Sequence, residues 1–476
     1  MSINGHYLSF IPNLLLAVLL SFWLSGGEGI NISLILALLL FLVISWFRRS
    51  YLLIIPILLF DLIQRLYLGY AGKEIGTGEL YLFFTHIADV VESGEMVWES
   101  LKRSLPAFIP VGMAVVFFYR FRATGQSRPW VKWSTAGLLL AVLCLDTPGG
   151  RLMGTGGSAM VNLLYGERTD RSKSVYADPC RKTTAEGDVF VVIGESMRYD
   201  PRYFKDFQIP VKPMISGGIN TDTSLPLLIN GETRVVDLTE KSPRNLFYLA
   251  KANGFETAFI SAQSAGNLKY IRPFLYPGQI GYLRTYEREE LAEKFDRVLL
   301  DELRKQVRET KRFIVLQMVG EHSPYRFYPG QFAPYSVRET LGERVREDYE
   351  NSVRFSLAVL REIVHTLRDR SPRPYTLFFT SDHGELIRYP FGHNQFEREV
   401  FTVPFFMQGT QSEPSVLISH HDLYQTIRKT LGWECEEKQG NSMIRVGGTM
   451  LNGEDGYMEI EMTDEGEIGS FKRGFW

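Results

Sequence analysis

Three short stretches of this chain end in side chains able to hold a cation or carry a proton. Tyr375 to Glu385 reads YTLFFTSDHGE, an apolar, β-prone run closing in Ser381, Asp382, His383 and Gly384. So short a run, bounded by turn formers, predicts a buried strand. Ligands of open α/β sheets sit outside the carboxyl ends of the strands. Asp382 and His383 would emerge there side by side, an oxygen and a nitrogen ligand suited to zinc. VFVVIGES ends likewise in Gly194, Glu195 and Ser196, and FIVLQMVGEHSPY in Glu321, His322 and Ser323. Gly392-His393 follows the Asp-His pair. Singly, each is an ordinary turn, helix cap or loop histidine; converging on one sheet edge, they make a site.

A nucleophile has three candidates. Ser196, in Gly-Glu-Ser-Met-Arg, is similar to the Gly-x-Ser-x-Gly elbow of serine hydrolases, and the chain order Ser196, Asp382, His393 suits that class. Arg198 replaces the final Gly and weakens the sharp turn. Ser224, in Ser-Leu-Pro-Leu-Leu, resembles the Ser-x-Pro-x-Arg segment modified in true sulfatases, but Leu228 stands where the Arg belongs. Thr221 is the third. A hydroxyl on a metal loses its proton readily, so it needs no separate histidine base.

These residues must be carried by strands alternating with helices. Candidate strands are Val189–Ile193, Thr257–Ser261, Phe313–Val319, Thr376–Thr380 and Val403–Met407, with helical stretches Ser242–Asn253, Glu289–Thr310, Arg344–Arg368 and Leu423–Leu431. Such alternation predicts an α/β layer fold with a central, largely parallel sheet over residues 187–476.

The chain has 476 residues, enough for two or more domains. Its 52 Lys and Arg balance 54 Asp and Glu, which disfavours a nucleic-acid partner. Three cysteines, Cys144, Cys180 and Cys435, include no Cys-x-x-Cys, so no thiolate zinc site is expected; Cys180 and Cys435 either pair or stay free. Before residue 147 lie apolar runs at Leu8–Leu24, Ile32–Phe47, Tyr51–Leu68, Pro106–Tyr119 and Trp133–Leu145. Several approach the roughly 20 residues needed to cross a bilayer. Arg48 and Arg49 join runs two and three; Arg120, Arg122, Arg128 and Lys132 join runs four and five. The positive-inside rule puts both basic loops in the cytoplasm and everything after the fifth run outside. Residues 1–147 are thus expected to form a five-helix transmembrane anchor. Residues 148–186, rich in Gly and Ser, are expected to be a linker with a possible amphipathic segment.

Glu195 after a strand, Thr-x-x-Ser-Leu-Pro at Thr221–Pro226, Glu-His-Ser-Pro-Tyr at 321–325, Ser-Asp-His-Gly-Glu at 381–385 and Gly-His at 392–393 occur in order. With five preceding spans, this order resembles the membrane-bound phosphoethanolamine transferases of the alkaline phosphatase/sulfatase superfamily, over essentially the whole chain. The resemblance implies one zinc ion, with room for a second, held by Glu195, Thr221, Asp382 and His383. It implies that Thr221 carries the phosphoethanolamine, that His322 and His393 lie beside the phosphate, and that Lys269 contacts substrate. It further implies a phosphatidylethanolamine donor, an envelope glycolipid or glycan acceptor such as lipid A, and a periplasmic catalytic domain anchored in a bacterial inner membrane. Two departures bear on the acceptor: the cysteines flanking the nucleophile in lipid A-modifying members are missing, and the Glu195–Thr221 spacing is shorter. A phosphoglycerol transferase using phosphatidylglycerol is the nearest alternative. A Ser196 hydrolase and a non-catalytic envelope binder are the others. The aromatic loop Tyr325–Tyr335 either packs on its own domain or meets lipid.

Overall fold

The computed structural model describes residues 180–475, apart from residues 186, 269–270, 292–293, 333–340, 389–390, 394, 411–417, 436–442, 449–455 and 463–467. The five apolar runs, nearly all of the linker, Lys269 and the end of the aromatic loop lie outside the described residues. Among the described residues, no helix is long and apolar enough to cross a membrane. The chain divides into two units, Met1–Arg168 and Thr169–Trp476, and the described residues belong to the second.

That second unit is built on a seven-stranded sheet. In chain order its strands are β2 (Asp188–Gly194), β3 (Lys212–Ile215), β4 (Glu256–Ser261), β5 (Tyr282–Arg284), β6 (Arg312–Gln317), β7 (Tyr375–Ser381) and β8 (Thr402–Gly409). Their spatial order is β3-β8-β7-β2-β6-β4-β5. β2, β4, β5, β6 and β7 pair in parallel, while β8 runs antiparallel to both β3 and β7. The sheet is therefore mixed, with one reversed strand in an otherwise parallel array. β2 sits in the middle and every residue in it is buried, as expected of a strand covered on both faces.

The expected strands all form, with ends displaced by a residue or two. Helices are α1 (Thr221–Asn230), α2 (Leu246–Ala252), α3 (Arg288–Leu291), α4 (Arg297–Gln306), α5 (Leu341–Arg370), α6 (Arg398–Phe401) and α7 (His420–Thr430). The single helix expected over Glu289–Thr310 is broken into α3 and α4. The break is at Phe295, which has φ 46, a left-handed conformation that a continuous helix excludes. Two smaller sheets went unanticipated. β1 (Cys180–Lys182) pairs with β9 (Trp433–Cys435), and β10 (Met443–Gly447), β11 (Gly456–Met462) and β12 (Ile468–Phe475) form an antiparallel sheet. Cys180 lies opposite Cys435 in the first of these, and the two form a disulfide.

One face of the main sheet packs Val189, Val191, Ile193, Phe313, Val315 and Phe378 against α1, α2 and α7 through Leu225, Leu228, Phe247, Leu423 and Ile427. Burying side chains of this size stabilises by about 1.5–3 kcal/mol each, and it fixes α1 relative to the strand ends.

Candidate metal site

Register sets the first half of the site. β2 pairs β7 so that Gly194 faces Ser381, and the Asp382 amide donates to the Gly194 carbonyl at 3.0 Å. Glu195 and Asp382 thus leave neighbouring strands at one level. β6 ends one strand over, where the Met318 amide donates to Ile193 and the Glu321 amide to Glu195. The convergence expected of three strand ends is observed.

Thr221 arrives from the other side of the chain, as the first residue of α1. Asn220 caps the helix, its side chain accepting from the Thr223 amide at 3.0 Å. Before it, the turn is pinned by the third sheet: Gly447 donates to the Gly217 carbonyl at 2.8 Å, and Ile219 donates to Gly447 at 3.1 Å. Gly218 lies so close to Thr223 and the Ser224 amide that a Cβ would collide with both. At its far end α1 stops at Gly231 (φ 64), where any side chain would run into the Tyr424 ring.

The four ligand-capable side chains meet. The Thr221 hydroxyl is 2.6 Å from Asp382 Oδ2, 3.3 Å from Glu195 Oε1 and 3.4 Å from His383 Nε2. His383 Nε2 is 3.6 Å from Glu195 Oε1 and 3.5 Å from Asp382 Oδ2. A tetrahedral zinc ion with bonds near 2.0–2.1 Å places its ligand atoms about 3.4 Å apart. Four of the five measured edges match that spacing, and the fifth is a hydrogen bond drawn in between Thr221 and Asp382. Two carboxylates, an imidazole and a hydroxyl on one small tetrahedron fit a divalent cation.

Electrostatics agree. Glu195, Asp382 and His383 are all buried. Burial, then the Glu195 charge, pushes Asp382 up to about 7. Burial opposes a charge on Glu195 as well, but the hydrogen bond and charge of His383 outweigh it and lower the Glu195 carboxyl. For His383 burial again opposes the charged form, and the two carboxylates outweigh it, raising the imidazole to about 10. The cluster calls for positive charge at its centre. His383 Nδ1 lies 2.8 Å from the Gly384 carbonyl, which can only accept, so Nδ1 carries the proton and Nε2 is free to act as a ligand.

Around these four stand residues whose roles sequence reasoning did not assign. Gln263 donates to Glu195 Oε2 at 2.6 Å. Glu385, fully buried, bonds His393 Nδ1 at 3.0 Å through one oxygen and accepts from the Tyr325 hydroxyl at 3.1 Å through the other. The His393 ring lies 4.3 Å from that of His383 between centroids, and His383, Glu385 and His393 form a second group able to hold a cation. Tyr325 is buried, so this end of the aromatic loop packs on its own domain. His322 stacks edge-on against Phe327, with Nδ1 2.8 Å from the Ser323 carbonyl. Glu321 turns inward instead: it is fully buried, and burial, with neighbouring Asp296, drives its carboxyl well above the usual range.

The rival nucleophiles are elsewhere engaged. Ser196 has the left-handed φ of 57 seen at strained turns, yet its buried hydroxyl donates to Glu195 Oε1 at 3.0 Å, with no histidine bonded to it among the described residues. Ser224 is buried and donates to the Asp382 carbonyl.

A mixed α/β sheet with ligands at its strand ends and a hydroxyl at a helix start defines a sulfatase-like domain. The Sulfatase family model matches residues 188–433, and the chain belongs to that family. Over 249 residues it is 24% identical to "Putative transferase YhbX" of Escherichia coli (strain K12), covering 46% of this chain and 43% of that protein. The chain therefore spans less than half the length of this curated relative. The integral membrane protein lipooligosaccharide phosphoethanolamine transferase A from Neisseria meningitidis is similar in fold, with TM-score 0.52 and 12% identity over 92% of this chain and 96% of that one. The C-terminal periplasmic domain of EptC from Escherichia coli, in complex with Zn, aligns with TM-score 0.46 and 15% identity over 58% of this chain and 89% of that one.

Proposed function

We propose that the protein transfers phosphoethanolamine from phosphatidylethanolamine to an envelope glycolipid or glycan, through a covalent phospho-Thr221 intermediate. The observation that carries this reading is the Thr221 hydroxyl, set at a helix start within 2.6–3.4 Å of Asp382, Glu195 and His383. Glu195, Thr221, Asp382 and His383 would hold a zinc ion, which when bound would supply Lewis acidity that favours the threonine alkoxide and screens phosphoryl charge.

Thr221 then attacks phosphorus in line; its oxygen–phosphorus bond forms as the bond to diacylglycerol breaks, and the proton Thr221 gives up passes through solvent to the departing diacylglycerol oxygen. Thr221 stands at the start of α1, and the positive end of the helix would favour an anionic phosphoryl group there. In the second step an acceptor hydroxyl or phosphate attacks the same phosphorus, and Thr221 leaves. His393, oriented by Glu385, takes the acceptor's proton, while His322 and Lys269 bind the phosphate. Two steps on one nucleophile make the kinetics ping-pong.

The organisation that suits this chemistry is a five-helix anchor over residues 1–147, a linker over 148–186 and a periplasmic domain over 187–476, on a bacterial inner membrane. The Cys180–Cys435 disulfide supports that side, since such bonds persist in oxidising compartments. The test supplies labelled phosphatidylethanolamine and phosphatidylglycerol separately and weighs the peptide bearing Thr221. A phosphoethanolamine adduct upholds the proposal, a phosphoglycerol adduct makes the protein a phosphoglycerol transferase, and an unmodified Thr221 during turnover refutes both.

A further inference from the structure

We propose that His420 is a positioning residue for the transfer step, an uncharged imidazole strut that holds the Thr221 turn and the Asp382 strand at their working separation. This rests on the reading of Thr221 as nucleophile. His420 is the first residue of α7, behind the site, and is only 1% exposed.

Its ring touches three segments. The Gly217 amide donates to Nδ1 at 3.1 Å, four positions before Thr221. Nε2 is 3.1 Å from the Thr380 hydroxyl, two positions before Asp382. Ser224, in the first turn of α1, places its hydroxyl 3.2 Å from Nδ1 and donates to the Asp382 carbonyl. A backbone amide can only donate, so Nδ1 carries no proton and Nε2 does. The ring therefore accepts from the nucleophile's turn and donates toward the ligand strand. A doubly protonated ring would set an N–H against the Gly217 N–H, so the geometry admits only the neutral form.

The consequence is mechanical. Thr221 and Asp382 come from segments distant in sequence, and their side chains meet at 2.6 Å. The imidazole bridges the same two segments on the buried side, with no carboxylate or ligand of its own at the cation. Taking it away leaves the partly buried Gly217 amide without its acceptor and the Thr380 hydroxyl with only its neighbouring Ser381 carbonyl and the Met214 sulfur, so that one of the supports of the turn is lost.

The experiment uses the full-length chain in detergent. His420→Asn keeps an acceptor near Gly217 but falls short of Thr380; His420→Gln does the reverse. Zinc affinity is read by competition with a fluorescent chelator, and turnover from labelled phosphatidylethanolamine. Loss of an outer support of this kind costs about 10- to 100-fold in metal affinity or activity. We expect that loss in zinc affinity and kcat for both variants, at unchanged KM for the donor. Wild-type zinc affinity and kcat in the folded variants would overturn the proposal. Should the ring variants not fold, Thr380→Val removes only the far anchor: a fall in kcat at constant KM sustains the strut, and a wild-type kcat sinks it. Thr221→Ala, run in parallel, separates the two ideas, because full turnover in that variant defeats the nucleophile reading whatever His420 does.

Discussion

The Thr221 hydroxyl donates to Asp382 Oδ2 at 2.6 Å, a link between the start of α1 and the end of β7. It is the shortest of the contacts that join the Thr221 hydroxyl to the Glu195, Asp382 and His383 cluster. Replacing Thr221 with alanine removes the proposed nucleophile but leaves three candidate cation ligands. Transfer should fall on the order of 10³-fold or more, while zinc stays bound at reduced affinity. Steady-state turnover and metal content, measured on the same preparation, check both halves. Thr221→Ser should retain measurable turnover.

Metal binding should depend steeply on pH. His383 stands near 10 and Asp382 near 7 in the cluster without a cation. A bound cation must displace those protons. Between pH 7 and 10 it displaces the His383 proton, and the Thr221 proton where the alkoxide forms, so affinity should rise by at least roughly tenfold per pH unit. Below 7 Asp382 adds a further proton and the slope steepens. Competition titrations across this range give the slope directly, and a flat profile would contradict the ligand assignment.

Glu385 should matter without touching the first cation group. Its carboxylate holds His393 Nδ1 and is itself held by Tyr325. Glu385→Gln should slow turnover by about a hundredfold, the usual scale for general acid–base help. Tyr325→Phe deletes one buried hydrogen bond and should cost about 1 kcal/mol in stability, with a smaller kinetic effect. Pre-steady-state phosphorylation of Thr221 should proceed normally in Glu385→Gln, with the defect confined to the acceptor step.

His420 sets an acid limit on the fold. Burial lowers its pKa from 6.5 to about 3. The folded state thus favours the neutral ring; its contribution is full above pH 6.5 and is lost as pH falls toward 3. The loss is at most about 1.4 kcal/mol per pH unit. Thermal melts at about pH 7 and about pH 5 should show a steeper decline for the wild type than for His420→Asn, which has no proton to take up.

Much of this site could be read from the sequence because the candidate ligands at the strand ends follow short apolar runs. In Val189–Ile193 and Thr376–Thr380 the run itself predicts the strand, and Glu195 and Asp382 are simply the first polar residues beyond it. Thr221 needed the ordered motifs, since nothing local marks a threonine at a helix start as special. Gln263, Glu385 and His420 were not assigned, for a different reason. Glu195 and Gly217, the partners of Gln263 and His420, lie on distant segments that only the tertiary fold brings near, while Glu385 meets His393 through a loop closed by the Leu386–Gly392 pairing, which no motif marks. The break at Phe295 was hidden because helical spacing resumes on both sides of it. The third sheet escaped because β10 and β11 mix charged and apolar residues within short segments.

The Cys180–Cys435 bond ties the first described residue to a strand beyond α7. Every residue discussed at the site, from Glu195 to His420, falls inside the closed covalent circle this creates, while β10 to β12 hang outside it as a tail. A single protease nick between these cysteines would leave two fragments travelling as one band until a thiol reductant is added. A nick after Cys435 would instead release the tail outright, along with the Gly447 contacts that pin the turn before Thr221.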